Sequence, residues 1–200
     1  MQKKILVATL VAAGLLSAGA AQSDEGQFMV RARAVFIDFQ NGQNSLPVKV
    51  EADNRWIPEV DISYFFTPNF AAELVLTYPQ DIDIKVAGTK QGTIKALPPS
   101  LMFQYHVTQL GAFKPYVGLG LNYTIFTKHS NILNGAASVD GSSFGLAGQV
   151  GFDYMFSKNW GLNVDVKYIQ MDTDVKVLGN KIGKLDLNPV TAGIGVSYRF

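Results

Sequence analysis

The segment KPYVGLGLNYTI at residues 114–125 decides the fold, because its residues alternate in character with a period of two. Such alternation places successive side chains on opposite faces of a β-strand. One face carries Val117, Leu119, Leu121, Tyr123 and Ile125. The other carries Tyr116, Gly118, Gly120, Asn122 and Thr124. The segment therefore predicts a strand with one apolar face and one face of small or polar residues.

The same alternation recurs from residue 27 to the end of the chain, interrupted by clusters of Gly, Asn, Asp and Pro. It predicts eight strands, at 27–38, 55–66, 70–80, 98–107, 114–127, 142–156, 160–171 and 188–200. Each is close to the ~9–11 residues that a tilted strand needs to cross a bilayer. Short turns at 67–69, 108–113 and 157–159 alternate with long loops at 39–54, 81–97, 128–141 and 172–187. Short periplasmic turns and long extracellular loops are typical of bacterial outer-membrane barrels.

The position of the charged residues separates a membrane barrel from a soluble, lipocalin-like barrel. In the strands at 114–127, 160–171 and 188–200 one face lacks charge, and the charges lie on the other. Aromatic residues gather near the predicted periplasmic ends of the apolar face: Tyr64, Phe66, Phe70, Tyr105, Tyr154, Phe156, Trp160, Tyr198 and Phe200. An apolar wall with an aromatic girdle faces lipid, whereas a lipocalin has an apolar lumen. The sequence predicts an all-β, eight-stranded antiparallel transmembrane β-barrel in a Gram-negative-type outer membrane.

The N-terminus has the pattern of a secretory signal peptide. Lys3 and Lys4 precede an apolar stretch at 5–16, and small residues follow at 17–21. This order of basic, apolar and small residues predicts a signal peptide over residues 1–21, cleaved after Ala20 or Ala21. We expect residues 22–200 to form a single barrel domain.

Composition excludes several classes of function. The 200 residues carry a formal net charge of +1 and no cysteine. The charge gives no reason to expect nucleic-acid binding, and the absence of cysteine removes disulfides and thiol chemistry. We predict no cofactor, no metal site and no enzymatic activity.

The two histidines and the loop aspartates allow two chemical alternatives. A lipid-modifying barrel enzyme requires a nucleophile and a base within hydrogen-bond reach; His106 is predicted to point inward near the periplasm, and His129 lies in a loop beside Ser130 without an evident carboxylate partner. The loop pairs Asp81/Asp83 and Asp172/Asp174 either remain solvated or bind a divalent ion at the rim.

The inward-facing residues of the periplasmic half are strongly polar. We define the polar plug as Arg31, Arg33, Glu59, Asp61, Glu73, Asp153, Asp165, Lys167 and Arg199. Four cations and five carboxylates are nearly balanced, as a buried ion-pair network requires, because an unpaired buried charge is very costly. The interpretation is a structural plug, with a proton relay or catalytic site as the alternative.

The inward-facing residues of the extracellular half are apolar. We define the outer-half lumen as Val35, Ile37, Ile57, Val75, Met102, Phe126, Ile169 and Met171. Eight strands enclose a lumen just wide enough for side chains to fill, so these residues are either filler or the lining of a ligand site. Pro58 and Pro79 lie near the extracellular ends of the second and third strands and cannot donate to a ladder. They either end those strands or weaken a lateral seam through which an apolar ligand passes into the membrane.

Four segments carry a family resemblance: GQFMVRA at 26–32, LPPSLMFQY at 97–105, KPYVGLGLNYT at 114–124, and LNPV at 187–190 leading to Phe200. Together they resemble the outer membrane protein W (OmpW) family, including its alkane-importing relatives. The resemblance implies a hydrophobic channel in the outer half of the barrel, blocked below by polar side chains. It also implies passive uptake of small hydrophobic molecules with lateral exit.

The expected partners follow from this resemblance. They are small hydrophobic molecules, outer-membrane lipid and lipopolysaccharide, and the barrel-assembly machinery, because the terminal SYRF at 197–200 resembles the last strand that this machinery reads. The alternative function is a structural or stress-adaptation barrel whose extracellular loops bind partners.

Overall fold

The computed structural model describes residues 27–44, 50–86, 88–130, 137–139, 141–178 and 180–200, so the predicted signal peptide lies outside the described residues. The described chain forms fifteen strands: β1 (Phe28–Asp38), β2 (Gly42–Asn44), β3 (Val50–Ala52), β4 (Arg55–Phe65), β5 (Phe70–Thr77), β6 (Gln80–Val86), β7 (Thr89–Leu97), β8 (Ser100–His106), β9 (Phe113–Ser130), β10 (Ala137–Val139), β11 (Ser142–Met155), β12 (Trp160–Ile169), β13 (Asp172–Val177), β14 (Asn180–Asp186) and β15 (Val190–Arg199). Within these ranges, no helix is long and apolar enough to cross a membrane.

Eight of the strands close into a barrel. Their order is β1, β4, β5, β8, β9, β11, β12 and β15, and β15 returns to β1. Every neighbouring pair is antiparallel. Closure gives each of the eight strands a partner on both sides, which a sheet in hydrocarbon requires because no water is present to satisfy an open edge. The predicted all-β, eight-stranded fold is confirmed.

The turns at one end of the barrel are short and held by side chains. Thr67 Oγ1 accepts a hydrogen bond from the N–H of Phe70 at 3.0 Å, and Ser157 Oγ accepts one from the N–H of Trp160 at 2.9 Å. Asn159 Nδ2 donates to the carbonyl oxygen of Arg199 at 2.6 Å. Ser, Thr and Asn favour such turns because their side chains replace missing backbone partners.

Two of the predicted long extracellular connections contain regular strands. Residues 81–97 contain most of the hairpin β6–β7, and residues 172–187 contain the hairpin β13–β14. Their many charges resemble loop composition, but ion pairs such as Lys95–Asp81 (3.2 Å) join opposite strands and stabilise the pairing. The predicted loops at 39–54 and 128–141 include β2, β3 and β10, and residues 45–49, 131–136 and 140 lie outside the described part. The predicted strand at 70–80 ends earlier, at Thr77, and β6 begins at Gln80.

The outer face of the barrel is apolar. Side chains such as Leu101, Leu119 and Val150 are more than half exposed, as only a lipid-facing wall permits. Aromatic rings contact one another at the periplasmic end, with centroids 4.8 Å apart for Trp160 and Tyr198. A second aromatic pair, Phe36 and Trp56 at 5.4 Å, lies near the extracellular end. This outer pair was not identified from the sequence.

Candidate functional site

Arg31 is the centre of the polar plug. Its guanidinium forms a bidentate contact with the Asp153 carboxylate: Nη2 donates to Oδ2 at 2.8 Å, and Nε donates to Oδ1 at 3.1 Å. Nη1 also reaches Asp61 Oδ1 at 3.1 Å and Glu73 Oε1 at 3.3 Å, and it donates to Ser63 Oγ at 2.8 Å. The side chain is fully buried. One cation therefore connects β1 with β4, β5 and β11 across the lumen.

Arg33 lies next along the inner face of β1 and contacts a second set of carboxylates. Its Nη2 lies 2.6 Å from Asp61 Oδ2 and 2.9 Å from Glu59 Oε1, and Nη1 lies 3.5 Å from Asp165 Oδ1. Gly195 on β15 allows the backbone of β1 to approach closely at this point, because an added Cβ would lie 2.7 Å from Arg33 Cα. Arginine suits this position because its planar group can contact several carboxylates at once.

Lys167 on β12 forms the top of the polar plug. Its Nζ lies 3.5 Å from Glu59 Oε1 and 3.7 Å from Asp165 Oδ1. These distances are longer than the ~2.7–2.9 Å of a strong charged hydrogen bond. The ammonium is buried and has unused capacity to donate.

The periplasmic floor of the lumen is aromatic. Phe65 is buried between two cationic or polar groups: the His106 ring centre is 4.9 Å away, and the Arg199 guanidinium lies 4.1 Å from its ring centre. His106 is hydrogen-bonded to Gln104 Oε1 at 2.9 Å. The remaining predicted plug residue, Arg199, thus lies at this floor. Phe65 was not singled out from the sequence, although the alternation that places Tyr64 and Phe66 on the outer face also turns Phe65 inward.

Tyr116 lies between the aromatic periplasmic floor of the lumen and the polar plug. Its hydroxyl donates to Asp165 Oδ2 at 3.2 Å and accepts from Asn163 Nδ2 at 3.1 Å. The ring lies against Gly151, where an added Cβ would meet Tyr116 Cζ at 2.6 Å. A glycine is therefore needed at this position on β11 for the ring to reach the network.

We expect Tyr116→Phe to lower the free energy of unfolding by about 1–2 kcal/mol, because it removes a hydroxyl that both donates and accepts inside the barrel. Tyr168→Phe is the matched control, since Tyr168 is exposed on the outer face, and should change stability by no more than ~0.5 kcal/mol. Urea unfolding in lipid vesicles measures both variants. Equal effects would contradict a structural role for the Tyr116 hydroxyl.

All eight residues of the outer-half lumen lie in one buried apolar cluster. The hairpins extend this cluster beyond the predicted set with Ile82, Ile84, Ile94 and Leu185, and Leu187, directly after β14, also belongs to it. Ile82 and Ile84 alternate with Asp81, Asp83 and Lys85. This alternation of apolar and charged residues indicates a strand, although residues 81–97 were predicted to form a loop.

The outer-half lumen encloses a cavity of about 30 Å³. Its walls include Val35, Ile57 and Met171, and its floor includes Glu59 and Lys167. This volume holds little more than one water molecule, and ligand sites commonly occupy about 300–1,000 Å³. A larger molecule fits only if lining side chains or the hairpins move.

The barrel wall is interrupted beside this cavity. The β4–β5 pairing ends at Glu59↔Thr77, and contact between the two sides resumes where the N–H of Asp53 donates to the carbonyl oxygen of Asp83 at 3.3 Å. Between these points, residues 55–58 and 78–81 face each other without ladder pairing. We call this interruption the seam. Pro58 and Pro79 lie on its two sides, and neither has an N–H to donate.

Two further features bear on the seam. Arg55 bridges it, because its Nη1 donates to the carbonyl oxygen of Asp81. On the opposite edge of β4 the pairing with β1 is continuous, including Ala34↔Pro58. The interruption is therefore confined to one side of β4.

The aspartates at the extracellular rim are paired with lysines. Asp83 and Lys90 are 2.8 Å apart, and this contact holds the pKa of the Asp83 carboxyl below its usual value. Asp172 accepts from Lys184 at 3.1 Å and raises the pKa of that ammonium. In the described ranges no three His, Asp or Glu residues form a metal-binding group. The side chains of His129 and Ser130 lie outside the described set.

The apolar exterior and closed antiparallel wall define an integral outer-membrane β-barrel protein. Residues 24–200 match the OmpW family, and the chain belongs to this family. It is 43% identical to the uncharacterized outer-membrane protein y4mB of Sinorhizobium fredii, over 87% of this chain and 79% of that protein. It is 30% identical to outer membrane protein W of Vibrio cholerae, over 99% of this chain and 100% of that protein.

Among solved structures, the crystal structure of the outer membrane protein OprG from Pseudomonas aeruginosa is similar, with a TM-score of 0.77 and 29% identity. The match covers 88% of this chain and 96% of that chain. These relatives place the protein in the outer membrane of the cell.

Proposed function

We propose that the protein is a channel for passive uptake of small hydrophobic molecules through the outer-half lumen. The observation that carries the proposal is the apolar cavity between Val35, Ile57 and Met171, at the extracellular side of a buried ion network. Buried apolar concave surface with few polar groups is the common form of a ligand site. Polar solutes would find no hydrogen-bond partners on such an apolar wall.

The polar plug argues against a straight route to the periplasm. A hydrophobic molecule passing Arg31 and Arg33 would have to separate buried ion pairs, and breaking one such pair costs about 3–5 kcal/mol. The seam offers an exit that leaves the plug intact, because it lies beside the cavity and faces lipid. We therefore propose that the route turns sideways between Pro58 and Pro79.

Passage requires movement of groups that are suited to move. Met102 and Met171 are unbranched and adapt to different shapes. Arg55 must release the carbonyl oxygen of Asp81 for the seam to widen. The ladder does not resist this widening, since residues 55–58 and 78–81 are unpaired across the seam.

Cells that carry the protein should take up decane faster than cells without it, and Met102→Glu should remove the difference. A carboxylate placed in the apolar wall is costly to desolvate and attracts water. Leu178→Glu is the matched control, because it adds the same charge at an exposed turn between the extracellular strands β13 and β14. Heat-modifiable gel mobility shows that each variant is folded. Equal uptake by all cells would contradict the proposal.

A loop-binding function has one observation in its favour. Leu178 is 81% exposed at the extracellular tip and has a positive φ of 48°, which is uncommon for a branched apolar residue. If the hairpin tips bind a partner, Leu178→Glu should abolish partner binding, and Met102→Glu should leave that binding intact. The two variants therefore give opposite results under the two functions.

A further inference from the structure

The floor of the apolar cavity is polar, although its walls are not. Lys167, Glu59 and Thr77 all line it. Glu59 and Thr77 are cross-strand partners in the β4–β5 register, and the Lys167 Nζ is 3.5 Å from Glu59 Oε1. Filler at the bottom of a hydrophobic lumen needs no such groups, because each costs desolvation.

These floor groups have unmet hydrogen-bonding capacity. The Thr77 hydroxyl is buried and has no hydrogen-bond partner among the described residues. The Lys167 ammonium, with a side chain only 1% exposed, can donate three hydrogen bonds, and its one protein hydrogen bond is long, 3.5 Å to Glu59. Buried polar groups in native proteins are normally satisfied. Two donors and one carboxylate therefore face the cavity ready for an oxygen-containing group.

The surrounding charge determines which group fits. The polar plug contains five carboxylates and four cations, an excess of one negative charge, and Glu59 itself lines the cavity. A carboxylate or sulfate headgroup would add negative charge to a cluster that already has an excess of it. A neutral hydroxyl accepts from Lys167 or Thr77 and can donate to Glu59, without adding charge.

We propose that the cavity floor is a headgroup site for neutral amphiphiles with a hydroxyl or carbonyl oxygen and a straight apolar chain, such as medium-chain alcohols. Lys167 and Thr77 donate to the oxygen, Glu59 accepts from a hydroxyl, and the chain lies along the outer-half lumen. This inference rests on the proposed function, since it names the molecules that the same lumen takes up.

Thr77→Val tests the site with little risk to folding, because it keeps the side-chain shape and removes the hydroxyl. We expect it to weaken binding of 1-decanol to the protein in lipid nanodiscs about fivefold, corresponding to one hydrogen bond. Binding of decane should not change. Thr173→Val is the matched control, because Thr173 also has a buried hydroxyl without a partner but lies in β13, away from the cavity. Lys167→Met should weaken decanol binding further, about tenfold or more.

The outcomes separate this inference from the proposed function. Equal binding of decanol and decane, unaffected by Thr77→Val, would overturn the headgroup site while leaving hydrophobic uptake intact. Tighter binding of decanoate than of decanol would overturn the assignment to a neutral group. If decanol binds and Thr77→Val weakens it, the headgroup site is supported even where decane uptake by cells proves absent.

Discussion

Replacing Arg31 by methionine is expected to lower the free energy of unfolding by about 3–5 kcal/mol, the usual cost of removing one partner from a buried ion network. Asp61, Glu73 and Asp153 would each lose a contact of 3.3 Å or less to a fully buried guanidinium. Arg33 would still pair with Asp61 and Glu73, at 2.6 Å and 3.4 Å. Asp153 would keep the hydrogen bond from Asn163 Nδ2 at 3.0 Å. The Asn163 amide is neutral and does not replace the positive charge of Arg31.

Urea unfolding of the barrel in lipid vesicles measures this effect, with gel mobility as the independent test of folding. The free energy of unfolding of Arg31→Lys should lie between those of wild type and Arg31→Met, because lysine keeps the charge but cannot make the bidentate contact with Asp153. Lys158→Met serves as the control, since it removes a cation from an exposed periplasmic turn. If Arg31→Met were no more harmful than Lys158→Met, the plug would not be a stabilising network.

Closing the seam by cross-linking is expected to abolish decane uptake while the barrel remains folded. Trp56 and Tyr78 lie on either side of the seam and are exposed on the outer face. Because the chain has no cysteine, cysteines introduced at 56 and 78 are the only sites for a thiol-reactive cross-linker. A short link there joins the two sides from the lipid side and leaves the lumen unfilled.

The control pair has cysteines at 60 and 76, which are directly paired in the continuous part of the β4–β5 ladder. Cross-linking that pair should leave uptake unchanged, and reversing a cleavable link at 56 and 78 should restore it. Uptake that persists after complete cross-linking, verified by mass spectrometry, would show that molecules do not leave through the seam.

The main features of the barrel could be predicted from sequence because they depend on a period of two. Alternation fixed the eight strands, and the absence of charge from one face identified the lipid side. The same parity assigned Arg31 and Asp61 to the interior and Leu119 to the exterior. A register error of one residue would turn the apolar face of a strand toward the lumen and its polar face toward lipid. The alternation in a membrane barrel therefore specifies the strand register strongly.

Features that depend on contacts between distant strands could not be predicted. The hairpins β6–β7 and β13–β14 resemble loops until the cross-strand ion pairs of their charges are known. Pro58 and Pro79 suggested a seam, but its position and the bridge formed by Arg55 follow from where the β4–β5 pairing ends. Thr77 carried no signal, because an unsatisfied hydroxyl is visible only once its neighbours are placed.

The most direct test of the proposed route is the initial rate of decane uptake by cells carrying Ile57→Arg, compared with wild type at equal amounts of folded protein. Ile57 lines the cavity beside the seam and is 3% exposed. A guanidinium there places a charge in the path of an apolar molecule. We predict a rate at least about tenfold lower, close to that of cells without the protein, as a barrier higher by ~1.4 kcal/mol suffices for this. A rate equal to wild type would contradict the route through the outer-half lumen.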